Sequence, residues 1–226
     1  MGNKELFELT NPQKSIWFTE QFYSGSNINN ITGYLKITGG ADLKALEKAF
    51  NVFVSKNDSF KIKICVENNI PKQYFDECEY QNIEILELNN ESDLKTFENT
   101  FPLKTISVLN NFLFITKLLS FPDGTGILVL STHHLISDAW TMTLCLEEIY
   151  DNYQKIINNE VISPDKNPSY LDFINSQQKY MQSDKFNIDK LYWEEKFNSL
   201  PGILSFKNGA KTNITANRKV CDLDMD

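Results

Sequence analysis

The stretch from residue 110 to residue 132 constrains the fold of this chain more than any other. It reads NNFLFITKLLSF, then the turn PDGTG, then GILVLST, whose first glycine closes the turn. Two apolar runs of strand length joined by a turn whose glycines supply positive φ predict a β-hairpin. The density of apolar residues makes it a hairpin of central strands.

The flanking segments supply its covering. Thr10 can cap a first helix, Pro12 suits its first turn and Gln13 can reach back to the cap. Ile16, Trp17 and Phe18 then begin its apolar face. GYLKIT reads as a strand. Asp42 opens a second helix whose Leu43, Leu46, Phe50, Phe53 and Val54 recur at helical spacing. SFKIKICV alternates as a half-buried strand does. KQYFDE and IEILEL read as further strands and ESDLKTFENTF as a short helix. From Asp138 the pattern is helical, with Trp140, Leu144, Ile149 and Tyr153 able to share a face. SYLDFINSQQKYMQ and NIDKLYWEEKFNSL read as two more helices. The tail RKVCDLDMD looks like the start of a strand. The fold class is α+β, a mixed or antiparallel sheet packed against helices.

Composition excludes several functions. A net charge of -8 and a pI near 4.9 leave no basic stripe for nucleic acid, and a solvated acidic surface explains them. The four cysteines, Cys65, Cys78, Cys145 and Cys221, form no C-x-x-C pair, so neither a disulfide framework nor structural zinc is expected. Cys65 and Cys145 read as buried small residues. The N-terminus has no secretory h-region, and Leu6 stands where a myristoylation signal needs Ser or Thr. No run is long and apolar enough to span a bilayer, and a cytoplasmic protein is expected.

Both histidines of the chain sit side by side in STHHLISDAW, after the second hairpin strand and before a helix. Three uses compete. Metal binding is the weakest, because neighbours in extended chain point to opposite faces and no further histidine or nearby cysteine completes a ligand set. A packing role suits His133 as a hydrogen-bonded core histidine and Asp138 as a helix N-cap. Acid–base chemistry suits His134, because imidazole titrates near neutral pH and the positive end of the helix can keep it neutral. No Ser/His/Asp or Cys/His triad can be assembled around the pair.

The pattern H-H-x-x-x-D-[G], here His133, His134, Asp138 and Ala139, resembles the active-site motif of condensation domains of nonribosomal peptide synthetases. These domains belong to a superfamily with chloramphenicol acetyltransferase. LTNPQKSIWFTEQ resembles the family's opening motif at Leu9, Thr10, Gln13, Trp17 and Gln21. LEKAFNVFVSKNDSFKIKI resembles the motif that normally reads R-H-E-x-L-R-T-x-F, and SYLDF and LYWEEKFNSLP resemble the later helices. The pieces keep family order from Leu9 to Pro201. The histidines are not replaced by aspartates, as heterocyclization domains replace them, and Trp140 stands where condensation domains place a tryptophan.

The resemblance implies a chloramphenicol acetyltransferase-like N-terminal lobe at residues 1–165. Residues 166–226 would be a helical connector and the start of a second lobe that is otherwise missing. It implies amide-bond formation between acyl or aminoacyl thioesters held on donor and acceptor carrier proteins. His134 would be catalytic, with His133, Asp138, Ala139 and Trp140 supporting the motif. Lys61 or Lys56 would replace the family's arginine as the cation partner of Asp138, without its bidentate fork. No metal or other directly bound cofactor is implied, since phosphopantetheine arrives on the carriers. Ala139 in place of glycine is harmless if it is the first helical residue. With Met1 as the native start, the donor would come from another protein or be an acyl starter. Two other readings stay open. One is a related acyltransferase with a free amine or alcohol acceptor. The other is a non-catalytic lobe that binds a carrier or associates with itself.

Overall fold

The computed structural model of the protein describes residues 4–199 and Gly202. Strand β1 (Phe7–Glu8) and helix α1 (Asn11–Phe22) come first, followed by β2 (Asn30–Ile37) and α2 (Leu43–Lys56). Then come β3 (Ile62–Glu67), β4 (Ile70–Phe75), β5 (Ile85–Glu87) and α3 (Glu91–Thr100). The expected hairpin is β6 (Phe114–Ser120) and β7 (Gly126–His133), and α4 (Ala139–Ile157) follows it. Helices α5 (Tyr170–Met181) and α6 (Asp184–Lys196) complete the described elements.

The hairpin is central. The main sheet runs β2-β7-β6-β5, antiparallel except for the parallel β5–β6 pair. Every residue of β7 is buried. Leu128 and Leu130 face the larger core, with Phe50, Phe53, Phe60, Ile149 and Tyr153. Ile127 and Val129 face a smaller one, with Phe101 and Leu119. Both faces of the strand being covered explains a continuous rather than alternating apolar run. Gly124, at φ +80°, provides the turn that joins the two strands.

A second sheet, β1-β4-β3, is antiparallel. Its hairpin turns at Asn68 and Asn69, both at positive φ, which asparagine tolerates in tight turns. Strand β1, two residues long, had no signal in the sequence pattern.

Three details differ from the sequence reading. The buried face of α1 is Gln13, Trp17 and Glu20, while Phe18 is 63% and Phe22 83% exposed. On α4 the buried face is Met142, Cys145, Ile149, Asn152 and Tyr153, and Trp140 and Leu144 are exposed. That face is set by α2 and β2, which pack against α4. Cys65 is half-buried, because its side of β3 is only partly covered.

The first compact unit ends at Asp172 and the second begins at Phe173. Hydrogen bonds hold residues 167–170 within the first unit. Asn167 Nδ2 donates to Asn57 Oδ1 and Glu148 Oε2 at 2.9 and 3.0 Å. The Tyr170 N–H donates to Asp58 Oδ1 at 2.8 Å, and the Ser169 hydroxyl donates to the same carboxylate. In the second unit Ile174 is buried. The strand expected in the tail lies outside the described residues.

Helix α4 approaches β2 at Gly33. A Cβ there would stand 2.7 Å from Met142 Sδ and 2.9 Å from Leu146 Cδ1. Gly33→Ala is therefore expected to lower stability by about 1–3 kcal/mol through overpacking. Denaturant unfolding measures this, and an unchanged midpoint would show that the two side chains yield without cost.

Candidate functional site

The site lies where the central strand ends. His133 is the last residue of β7 and Ala139 the first of α4, so residues 134–138 form the connection. A chain leaving a fully buried strand carries its backbone polar groups with it, and each needs a partner. The His134 N–H donates to the Asn29 carbonyl at 2.7 Å. The Leu135 N–H donates to His133 Nδ1 at 3.1 Å, and the Ile136 N–H to the His133 carbonyl at 3.0 Å. The Leu135 carbonyl accepts from Gln13 Nε2 at 3.1 Å. The hydroxyls of Thr132 on β7 and Ser137 in the loop lie 2.5 Å apart.

The two histidines have opposite ring tautomers. His133 is 1% exposed. Its Nδ1 accepts a backbone N–H, so its proton is on Nε2, which donates to Glu20 Oε2 at 3.3 Å. Burial pushes this imidazole below its ordinary pKa, and the Glu20 carboxylate opposes part of that shift. His134 is half-buried. Its Nδ1 lies 2.8 Å from the Ser137 carbonyl, which can only accept, so Nδ1 carries the proton. When the ring is neutral its lone pair is on Nε2, which has no partner among the described residues. A neutral imidazole whose far nitrogen is held by a carbonyl is arranged to accept a proton.

Asp138 is the N-cap of α4. Its Oδ1 accepts from the Thr141 N–H and from the Thr141 hydroxyl, each at 2.7 Å. These bonds hold its carboxyl below the ordinary value. Ala139 opens the helix without positive φ, so the missing glycine carries no strain. Trp140 is 71% exposed. The expected lysine partner of Asp138 is not in place. Lys61 instead donates to the Ser55 carbonyl at 2.9 Å, and Lys56 forms no ion pair among the described residues. The cap bonds from Thr141 both go to Oδ1 of this carboxylate.

Residues that sequence reasoning missed stand behind the motif. Glu20 holds His133 and also accepts from Asn29 Nδ2 at 2.8 Å. Gln13, expected as a cap partner and as a position of the opening motif, is 2% exposed and forms a reciprocal amide pair with Gln73 of β4, both bonds 2.9 Å. Their signal was present: Gln13, Trp17 and Glu20 repeat at helical spacing, as a polar buried face would. Cys145 offers no alternative nucleophile, since burial pushes its thiol up to about 12. No cluster of three or more His, Cys, Asp or Glu able to hold a metal ion occurs among the described residues. No helix among them is long and apolar enough to cross a membrane.

The profile of the Condensation domain family matches residues 3–226. The chain belongs to the condensation-domain family. It is 28% identical over 214 residues to surfactin synthase subunit 1 of Bacillus subtilis (strain 168), covering 91% of this chain and 6% of that protein. It is 24% identical over 193 residues to bacitracin synthase 3 of Bacillus licheniformis, covering 84% of this chain and 3% of that one. The starter condensation domain of rhizomide synthetase superposes with a TM-score of 0.79 at 18% identity, over 87% of this chain and 49% of that chain. The first condensation domain of the calcium-dependent antibiotic synthetase, solved with a substrate analogue, gives 0.77 at 16% identity, over 92% and 51%. The fold is thus that of condensation domains, the chloramphenicol acetyltransferase-like class. The chain spans about half the length of these solved domains and less than a tenth of the two synthases.

Two measurements check the site. Long-range 1H–15N imidazole spectra should show one ring protonated at Nε2 and the other at Nδ1; two identical tautomers would contradict the geometry. Asp138→Ala should cost about 1 kcal/mol of stability through loss of the cap. The folded carboxyl titrates below its usual value near 3.8, so its contribution is full above that value. It is lost as pH falls through the lower folded value, and the deficit of the alanine variant should shrink across that range.

Proposed function

We propose that this chain is the histidine-bearing half of a condensation domain that joins two carrier-bound substrates through an amide bond. The observation that carries this reading is the His134 ring, with Nδ1–H committed to the Ser137 carbonyl and Nε2 left as an acceptor. The acceptor's α-amine attacks the thioester carbonyl of the donor. A C–N bond forms, the C–S bond breaks, and the amine proton passes to His134 Nε2 and from there to the departing thiolate. The phosphopantetheine thioesters arrive on donor and acceptor carrier proteins as substrates.

The chain's own residues contribute placement and proton transfer. The Ser137 carbonyl fixes the His134 tautomer. The Asn29 carbonyl and His133 ring hold the backbone on either side of it, and Asp138 anchors the loop to α4. A base held in this way contributes about 10²–10⁴-fold. Pre-organised positioning of the two carriers contributes the remainder of the acceleration.

The family's solved domains are about twice as long as this chain, so a second lobe supplies the opposite wall of the site in this reading. The 226 residues alone are expected to release no product. In a protein spanning both lobes, His134→Ala should lower condensation about 10²–10⁴-fold while leaving thermal unfolding unchanged. Turnover is measured with acyl- and aminoacyl-loaded carriers. Full activity in the variant would refute the proposal, and turnover with free amines or alcohols but not with loaded carriers would favour a related acyltransferase.

A further inference from the structure

Glu20 lies outside the histidine motif, on the buried face of α1, and its residue is 8% exposed. Its Oε2 accepts two hydrogen bonds, from Asn29 Nδ2 at 2.8 Å and from His133 Nε2 at 3.3 Å. Each of these partners grips a different part of the loop. The Asn29 carbonyl accepts the His134 N–H, and His133 Nδ1 accepts the Leu135 N–H. One buried oxygen atom therefore stands behind both residues that hold the backbone of His134.

We propose that Glu20 is a positioning residue for His134, acting by fixing the ring proton of His133 and the placement of Asn29. With a carboxylate at Nε2, the His133 ring must carry its proton there, and Nδ1 is left to accept from Leu135. Without the carboxylate, the proton can move to Nδ1 and meet the Leu135 N–H donor to donor. That buried N–H then has no acceptor, and the loop shifts to find one. The shift is felt two residues on, where Ser137 holds the His134 ring. A glutamine at position 20 keeps an oxygen that can accept from both partners. A methionine keeps the length and bulk but neither donates nor accepts strongly.

The chain has only two histidines, so its imidazole spectrum contains two ring systems. Long-range 1H–15N spectra at neutral pH are compared for the wild-type chain, Glu20→Gln and Glu20→Met, each checked for folding by circular dichroism. The wild type and the glutamine variant are expected to keep Nε2–H on His133 and Nδ1–H on His134. The methionine variant is expected to show mixed tautomers at both rings. A folded methionine variant with the His134 ring unchanged would overturn the proposal. If that variant does not fold, Glu20→Asp, which draws the carboxylate back by one methylene, is expected to show the same mixing, and unaltered rings there would overturn it equally.

The catalytic consequence rests on the function proposed above. In a protein spanning both lobes, Glu20→Met is expected to lower kcat about 10- to 100-fold with little change in KM, and Glu20→Gln to restore it. An unaltered kcat in Glu20→Met, with His134→Ala inactive, would overturn the positioning role. Should His134→Ala itself stay active, the functional reading fails, and the ring spectra alone then decide the role of Glu20.

Discussion

The complete burial of strand β7 governs the rest of the molecule. A strand covered on both faces can leave the sheet only if every polar group at its exit finds a protein partner. At the exit the amides of His133, His134, Leu135 and Ile136 all find protein acceptors. Asn29, Glu20, Gln13 and Gln73 are brought there from β4, α1 and the segment before β2. The polar cluster at the site is thus a consequence of the apolar core beside it.

Charge and hydrogen bonding are divided unevenly across this cluster. On one side Glu20 supplies a buried carboxylate to two neutral donors. On the other, Gln13 and Gln73 pair without charge and hand one remaining N–H to the loop. Fully satisfied networks of this kind specify one arrangement, because any partial version leaves a desolvated donor or acceptor behind. Membership of the condensation-domain family and the superposition on its solved members agree with a lobe built around this junction.

Much of this was legible in the sequence. The hairpin, the Thr10–Gln13 cap, the Asp42 and Asp138 caps and the principal helices follow from local signals that the tertiary structure did not override. The motif around His133 and His134 could be recognised from the sequence. The orientation of α1 was not legible. Phe18 looks like a core residue in a local reading, yet the side of the helix turned inward is the one whose polar groups answer the needs of β7. The replacement for the family's arginine could not be read either. A lysine nearby in sequence does not reveal that its ammonium is taken by the Ser55 carbonyl, or that Thr141 already serves Asp138.

The three consecutive amides of His134, Leu135 and Ile136 are all bound to protein acceptors, and α4 begins soon after them at Ala139. The turn carrying His134 thus has little slack in any direction. In the function proposed above, substrate positioning therefore falls to whatever brings the reacting groups in, since His134 stays where the sheet has put it.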